Sequence, residues 1–216
     1  MIAYPKEPFF VPEFNMKSGG LDFLGMRQAT LDLRDTCFPG FSNSTEFLRP
    51  FSLMCWIYWK LYALAAQEGL EEITSEHARK FREKAEVLFT WGHKLHDVGG
   101  LPGITAKPPK VEADSESVPL TFRDWRRIPS STGLMAAVNY GPALKTTSGF
   151  GFLNPVATEL FQPLATGAEL AKGLDESLLA HGMPALLTTL DLNSGTSDDA
   201  LAAFAGWNIG TPSERE

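Results

Sequence analysis

The sequence predicts a mainly α-helical protein, with a helical amino-terminal core and a smaller second half of mixed helix and strand. One apolar stretch, about residues 50–67, supports this, because between Phe51 and Ala66 only Ser52 and Lys60 are clearly polar. A helix that is apolar on nearly every side must be surrounded by other elements. The next stretch of the chain repeats apolar residues at steps of three and four, which is typical of a helix that packs on another helix. We therefore expect a buried central helix.

The first helix of the core is predicted from Leu21 to Phe38. Leu24, Leu31 and Phe38 recur on one helical face, which indicates an amphipathic helix. Pro39-Gly40 follows directly, and this pair ends a helix because glycine adopts the terminal conformation and proline cannot continue it.

The central helix is predicted to begin at Pro50, since a proline in the first turn loses no hydrogen bond, and to end at Gly69. Thr74 can cap a third helix, whose apolar residues form a seam for packing. The seam consists of Ala78, Phe81, Ala85, Leu88, Gly92 and Leu95. The opposite face is expected to be solvated. Its residues are Arg79, Lys80, Glu83, Lys84 and Glu86.

Prolines and glycines divide the remaining chain into segments. Residues 1–20 contain three prolines and predict an extended arm before the helical core of residues 21–100. Residues 101–120 contain four prolines and one glycine among small and charged residues, which predicts a linker or mobile loop. Residues 121–216 form the second region. Within it we expect helices over residues 133–144, 167–180 and 200–207 and a short strand near residues 151–153.

The composition excludes several classes of protein. Hydrophobic residues make up 44% and charged residues 21% of the chain, as in globular proteins. The net charge is −7, and only residues 101–150 are net positive, with 6 basic and 4 acidic residues. Binding of nucleic acid by the whole surface is therefore not expected. The apolar stretch of residues 51–66 contains a lysine and is too short to span a bilayer.

Cysteine usage and the absence of catalytic motifs favour a cytoplasmic binding protein. Cys37 and Cys55 are the only cysteines, and both stand in apolar settings. The residues after Met1 do not resemble a signal segment. Together these observations predict reduced thiols. The sequence has no Gly-x-Ser-x-Gly elbow and no cysteine in a basic, activating setting. No catalytic residue and no cofactor are predicted, so an enzyme is less expected than a binding protein.

His93 and His96 stand three residues apart near the end of the third helix, next to Asp97. Two histidines at this spacing can share one face and hold a metal ion with an aspartate. A charged helix end, where histidines suit the negative pole of the helix dipole, explains the same residues. We prefer the second interpretation and expect no metal site.

Arg123, Trp125, Arg126 and Arg127 form a cluster of basic and aromatic residues, and Lys145 follows in the same positive segment. Such side chains can contact phosphate and stack on a base. They can equally anchor a protein interface or lie in an exposed turn around a half-buried tryptophan. All three interpretations remain open from the sequence.

The loop before the central helix is polar, and it contains Asn43 and Thr45. Arg49 follows it and can bond to loop carbonyls. Side chains of this kind commonly bond to their own backbone. We therefore interpret Asn43, Thr45 and Arg49 as parts of a structural loop.

Two passages resemble known proteins. The runs Leu21–Arg27, Phe38–Thr45 and Arg49–Ser52, with Trp56, resemble the amino-terminal part of uncharacterised bacterial proteins encoded beside restriction and phage-defence genes. This resemblance covers residues 21–56 and implies a role in antiviral defence.

Residues 139–171 are similar to winged-helix modules. The resemblance lies in Asn139–Lys145, Gly151–Leu153 and Leu164–Ala171, although Leu164-Ala165-Thr166-Gly167 is one residue shorter than the usual spacing. A helix that reads DNA carries side chains for bases and phosphates, and this passage has few besides Lys145. The resemblance therefore implies a winged helix that docks on protein.

Together these patterns predict a non-catalytic interaction subunit of a multi-protein bacterial complex of the phage-defence type. Its partners would be other protein subunits, met through the arm, the Ala85/Gly92 seam and residues 123–127. The alternative is a nucleic-acid-sensing module that binds DNA or RNA through residues 121–150. A metal-dependent hydrolase using His93, His96 and Asp97 is the weaker alternative.

Overall fold

The computed structural model of the chain describes residues 26–37, 47–95, 120–125, 127–129, 131–146, 149–181 and 185–190. This part is mainly helical, with one two-stranded antiparallel sheet, which confirms the predicted class. The elements are α1 (Met26–Cys37), α2 (Arg49–Gln67), α3 (Ser75–Leu95), α4 (Gly141–Leu144), β1 (Leu153–Ala157), β2 (Leu160–Pro163), α5 (Ala165–His181) and a 3₁₀ turn (Ala185–Leu187). The predicted arm, the linker before Leu120 and the helix expected over 200–207 lie outside the described residues.

Helix α2 is the central element of the core, as predicted. Most of its apolar residues are buried, and Trp56 and Tyr58 have no exposed surface, whereas Ala63 and Ala66 are exposed. It packs chiefly against α5, and also against α3 and β2. Because burial of apolar surface is the main favourable term in folding, this one helix connects the other elements into a core.

Both ends of α2 follow the sequence signals. Pro50 lies in the first turn. Gly69 has a positive φ of 72°, and the N–H of Leu70 donates to the carbonyl of Ala65 over 2.9 Å. The chain changes direction at the end of α2, which requires a residue in the left-handed backbone conformation. Glycine adopts that conformation at little steric cost.

Helix α3 begins at the predicted cap. The N–H of His77 donates to the Thr74 hydroxyl over 3.2 Å, and the N–H of Thr74 donates to Nδ1 of His77 over 3.4 Å. The predicted seam is confirmed where it is described, since four of its residues are completely buried. They are Ala78, Phe81, Ala85 and Leu88.

The expectation of a solvated opposite face on α3 is wrong for Glu83, Lys84 and Glu86, which are all buried. Backbone groups from later in the chain form hydrogen bonds with these side chains. The N–H of Phe122 donates to Glu83 over 3.3 Å, and Lys84 donates to the carbonyl of Leu186 over 2.9 Å. A charged side chain tolerates burial when such partners replace its water.

The second half differs from prediction before α5. Of the helix expected over 133–144, only α4 forms, because the side-chain amide of Asn139 donates to the carbonyls of Ser131 and Gly133, over 3.1 and 2.8 Å. These bonds stabilise turns in place of a helix. The expected strand extends into a hairpin, in which Leu153 pairs with Pro163.

Helix α5 matches its prediction, with Ala171, Leu174 and Leu178 buried against the core. Buried residues from α2, α3, α5 and the segment before α4 belong to one hydrophobic cluster. The two regions separated in the sequence prediction therefore contribute to a shared core. No helix among the described residues is long and apolar enough to cross a membrane.

Candidate functional site

A buried charge cluster, formed by Arg82, Glu86 and Arg127, lies between α3 and the segment that precedes α4. One carboxylate oxygen of Glu86 is 3.4 Å from Nε of Arg82, and the other is 3.5 Å from Nη2 of Arg127. The spacing of four residues on α3 places Arg82 beside Glu86. Arg127 reaches the same carboxylate from the turn that follows Trp125.

Further contacts hold Arg127 in place. Its Nη1 donates to the Thr90 hydroxyl over 3.0 Å and to the carbonyl of Glu86 over 3.3 Å. The guanidinium also lies over the ring of Phe122, 4.6 Å from its centroid. Glu86 in turn accepts from the N–H of Leu134 over 2.8 Å. The cluster thus connects α3 to Phe122, which precedes residue 127, and to Leu134, which follows it.

Burial and neighbouring charge act against each other in this cluster. Burial raises the pKa of Glu86, and Arg127 and Arg82 oppose that rise. Burial alone would lower the pKa of Arg82, but Glu86, Tyr58 and Glu159 together raise it. For Arg127 burial dominates and lowers the pKa, although Glu86 opposes it. The ion pairs thus offset only part of the cost of removing Glu86 and Arg127 from water.

A pocket of about 460 Å³ opens beside the cluster. Its charged lining consists of Arg82, Lys145 and Glu159, and Met135 and Phe161 contribute to its apolar lining. Pockets of this size, mostly apolar with a few converging polar groups, are typical of small-molecule sites. We define this cavity as the hairpin pocket, because the turn between β1 and β2 forms part of its wall.

Glu159 and Lys145 have contrasting surroundings in the hairpin pocket. Glu159 pairs with Arg82 from the turn between the strands, where it has a positive φ of 64°. Lys145 makes no ion pair with a carboxylate in the described part of the chain, and its Nζ lies 5.4 Å from the ring centroid of Phe161. The pocket therefore holds one cation paired with a carboxylate and one lysine without an acidic partner among the described residues.

The predicted basic and aromatic cluster does not assemble on a surface. Arg123 is exposed, but Trp125 is only 1% exposed and packs on Trp91 with ring centroids 4.4 Å apart. Arg127 is buried in the charge cluster, which corrects the expectation that it faces a partner or phosphate. Its guanidinium is already engaged by Glu86. Arg126 lies outside the described residues.

Some of the other predicted site residues lie in the described part of the chain and some lie outside it. His93 is buried, with Nδ1 2.6 Å from the carbonyl of Phe89, so this ring is engaged by its own helix. His96 and Asp97 lie outside the described part, as do Asn43 and Thr45. Arg49 is half-buried as the first residue of α2. Within the described ranges no three potential ligands come close enough to hold a metal ion.

Helix α1 differs from the other long helices because every side chain described on it is exposed. Met26 and Leu33 are each 65% exposed. With Ala29 and Cys37 they recur at steps of three and four, so they lie on one face. We call these four residues the α1 stripe.

Sequence reasoning missed the roles of Glu86 and Glu159. A spacing of four between Arg82 and Glu86 was visible, but the same spacing is common on solvated helix faces. Glu159 gave no signal, because the strand that follows it was not predicted. The chain matches no known protein-family model, no curated protein and no solved structure.

Proposed function

We propose that this chain is a non-catalytic interaction subunit of a multi-protein complex. The observation that supports the proposal is the exposed α1 stripe, with Met26 and Leu33 each 65% exposed. The apolar faces of α2, α3 and α5 are buried in the core instead. An apolar helix face left in water is typical of a surface that another protein covers.

The proposed occupant of the α1 stripe is an apolar helix of a partner protein. Residues spaced as Met26, Ala29, Leu33 and Cys37 form the ridge that packs between two helices. The small side chain of Ala29 allows close approach. Complete burial of Met26 or Leu33 would contribute up to about 2 kcal/mol each.

A phage-defence setting is part of the proposal and is supported by the resemblance of residues 21–56, a range that contains α1. The hairpin of β1 and β2 next to α5 supports, within the same proposal, the winged-helix-like docking module inferred for residues 139–171. The nucleic-acid alternative has less support, since Trp125 and Arg127 are buried.

The test is a pull-down from the native host with the full chain as bait and nuclease in the buffer. We expect a protein partner that wild type retains and Leu33→Glu loses, because a carboxylate cannot enter an apolar interface without cost. Leu179→Glu is the matched control, since Leu179 is 63% exposed on α5. It should retain the partner.

Loss of the partner in both variants, or in neither, would count against the α1 stripe as the docking face. Recovery only without nuclease would instead favour the nucleic-acid alternative. Circular dichroism of both variants should match wild type, which shows that the loss is local.

A further inference from the structure

We propose that the hairpin pocket binds a small organic monocarboxylate with an apolar or aromatic body. This site is independent of the α1 stripe and of any partner protein. Two cations line the pocket, a carboxylate already pairs with one of them, and part of the wall is apolar.

Lys145 provides the first contact for a ligand carboxylate. It is half-buried and lines the pocket, and its Nζ lies 5.4 Å from the ring centroid of Phe161. It makes no ion pair with a carboxylate in the part of the chain that the structure describes. A lysine removed from bulk water gains more from an anion than an exposed lysine does, because its interaction is less screened.

Arg82 provides the second contact, and Glu159 already shows which chemistry it accepts. The carboxylate of Glu159 pairs with the Arg82 guanidinium at the pocket wall. Glu159 itself has a positive φ of 64°, a backbone conformation that is unfavourable for a residue other than glycine. The strained turn thus holds an internal carboxylate where a ligand carboxylate could bind instead.

The charge and the walls of the pocket select the ligand further. Glu159 and Glu86 both pair with Arg82, and Arg127 pairs with Glu86. Together with Lys145 there are three positive charges against two negative charges, so the site can take one more negative charge. Met135 and Phe161 present apolar surface, which suits a hydrocarbon or aromatic body. A monocarboxylate fits this balance better than a phosphate dianion, whose second charge the lining leaves uncompensated.

The test is a calorimetric titration of the full chain with 3-phenylpropionate, its neutral analogue 3-phenylpropanamide, and inorganic phosphate. We expect saturable binding of the carboxylate, with the amide and phosphate each weaker by at least about tenfold, the factor that a charge-assisted hydrogen bond supplies. Lys145→Met keeps the apolar stem of the side chain and should weaken binding of the carboxylate by a similar factor. Lys172→Met, an exposed lysine on α5, is the matched control and should leave affinity unchanged.

The Glu159→Gln variant separates a ligand site from a merely structural ion pair. If the Glu159 carboxylate competes with the ligand for Arg82, its removal should tighten 3-phenylpropionate binding several-fold. Unchanged or weaker binding in Glu159→Gln would overturn the proposal, as would equal affinity for the amide or tighter binding of phosphate. Absence of saturable binding in both wild type and Glu159→Gln would also overturn it, whether or not Lys145→Met folds.

Discussion

Glu86 and Arg127, which are 41 residues apart in the chain, form an ion pair of 3.5 Å in which both side chains have no exposed surface. Arg82 lies on the other side of the same carboxylate. A buried pair contributes little net stability compared with an apolar replacement, but removal of one partner leaves an uncompensated charge. We therefore expect the pair to specify how the chain around Phe122 and Leu134 packs on α3.

We expect Arg127→Ala to lower the free energy of unfolding by about 3–5 kcal/mol, because it leaves Glu86 buried without its partner. Urea unfolding followed by tryptophan fluorescence measures the change. Lys172→Ala breaks the exposed pair with Glu169, whose atoms are 2.8 Å apart, and should cost less than about 1 kcal/mol. A similar small cost for Arg127→Ala would contradict the buried placement of this residue.

A second prediction concerns the contact between the two most extensively packed helices, α2 and α5. Nε1 of Trp56 donates to Asp175 over 2.8 Å, and Lys60 pairs with the same oxygen at 3.2 Å. Asp175→Ala should cost about 2–3 kcal/mol, since it leaves the buried indole N–H without this acceptor. Asp175→Asn should cost less. Equilibrium unfolding measures both, and Glu176→Ala, an exposed neighbour, should change stability by no more than about 0.5 kcal/mol.

Two glycines of α5 should respond in opposite directions to the same substitution. A Cβ on Gly167 would overlap the carbonyl oxygen of Phe152, whereas a Cβ on Gly173 would have no atom within 4 Å. We expect Gly167→Ala to destabilise by about 1–3 kcal/mol, as overpacking does, and Gly173→Ala to stabilise by about 0.5–1 kcal/mol through helix propensity. The measurement is the Tm of each variant by thermal unfolding, compared with wild type. Equal shifts in Tm would show that Gly167 does not lie against the backbone of Phe152.

The two cysteines should differ in reactivity. Cys37 is exposed on α1, and Cys55 is buried in α2. Because the thiolate is the reactive form and needs access to the reagent, a native titration with a disulfide reagent should modify Cys37 alone. Unfolding in denaturant should release the second thiol, and the native Cys37→Ser variant should show none. Rapid modification of two thiols in the native protein would contradict the burial of α2.

Alkaline pH should destabilise the protein partly through Cys55. Burial raises the pKa of its thiol from 9.0 to about 12. Between these values the unfolded chain has lost the proton and the native protein has kept it, so the free energy of unfolding falls as pH rises. The contribution of one proton is at most about 1.4 kcal/mol per pH unit.

The measurement is urea unfolding at several pH values between 9 and 12, the range over which the thiol titrates. Cys55→Ala should show a shallower decline of stability with pH than wild type. Cys37→Ala removes the exposed thiol and should leave the slope as it is. An unchanged slope in Cys55→Ala would show that another group, such as the buried Tyr58, accounts for the decline.

Much of the fold could be predicted because its signals are local. An apolar run that begins at Pro50 and stops at Gly69 specifies a buried helix from its own residues, and Thr74 specifies the start of the next. The inward face of α5 was equally readable from the spacing of Leu174 and Leu178. In each case the helical period alone assigns the buried side chains.

The candidate site was less predictable, because its residues come from distant parts of the chain. Glu86 was expected on a solvated helix face, Arg82 was not singled out, and Arg127 was one of the residues that could contact phosphate or a partner. Only the segment that packs over α3 decides that all three are buried. Likewise, Glu159 meets Arg82 only through a hairpin whose second strand has no strong local pattern.

The sequence by itself determined the helical class, the central position of α2 and the apolar seam of α3, since short-range periodicity and helix-end residues suffice for these. Tertiary structure alone decided which charged side chains of α3 lose their water and which cations, among them Lys145, line a pocket. The physical reason is that burial of a charge depends on the groups that replace its water. For Glu86 those groups are Arg127 and the N–H of Leu134, both more than 40 residues away along the chain.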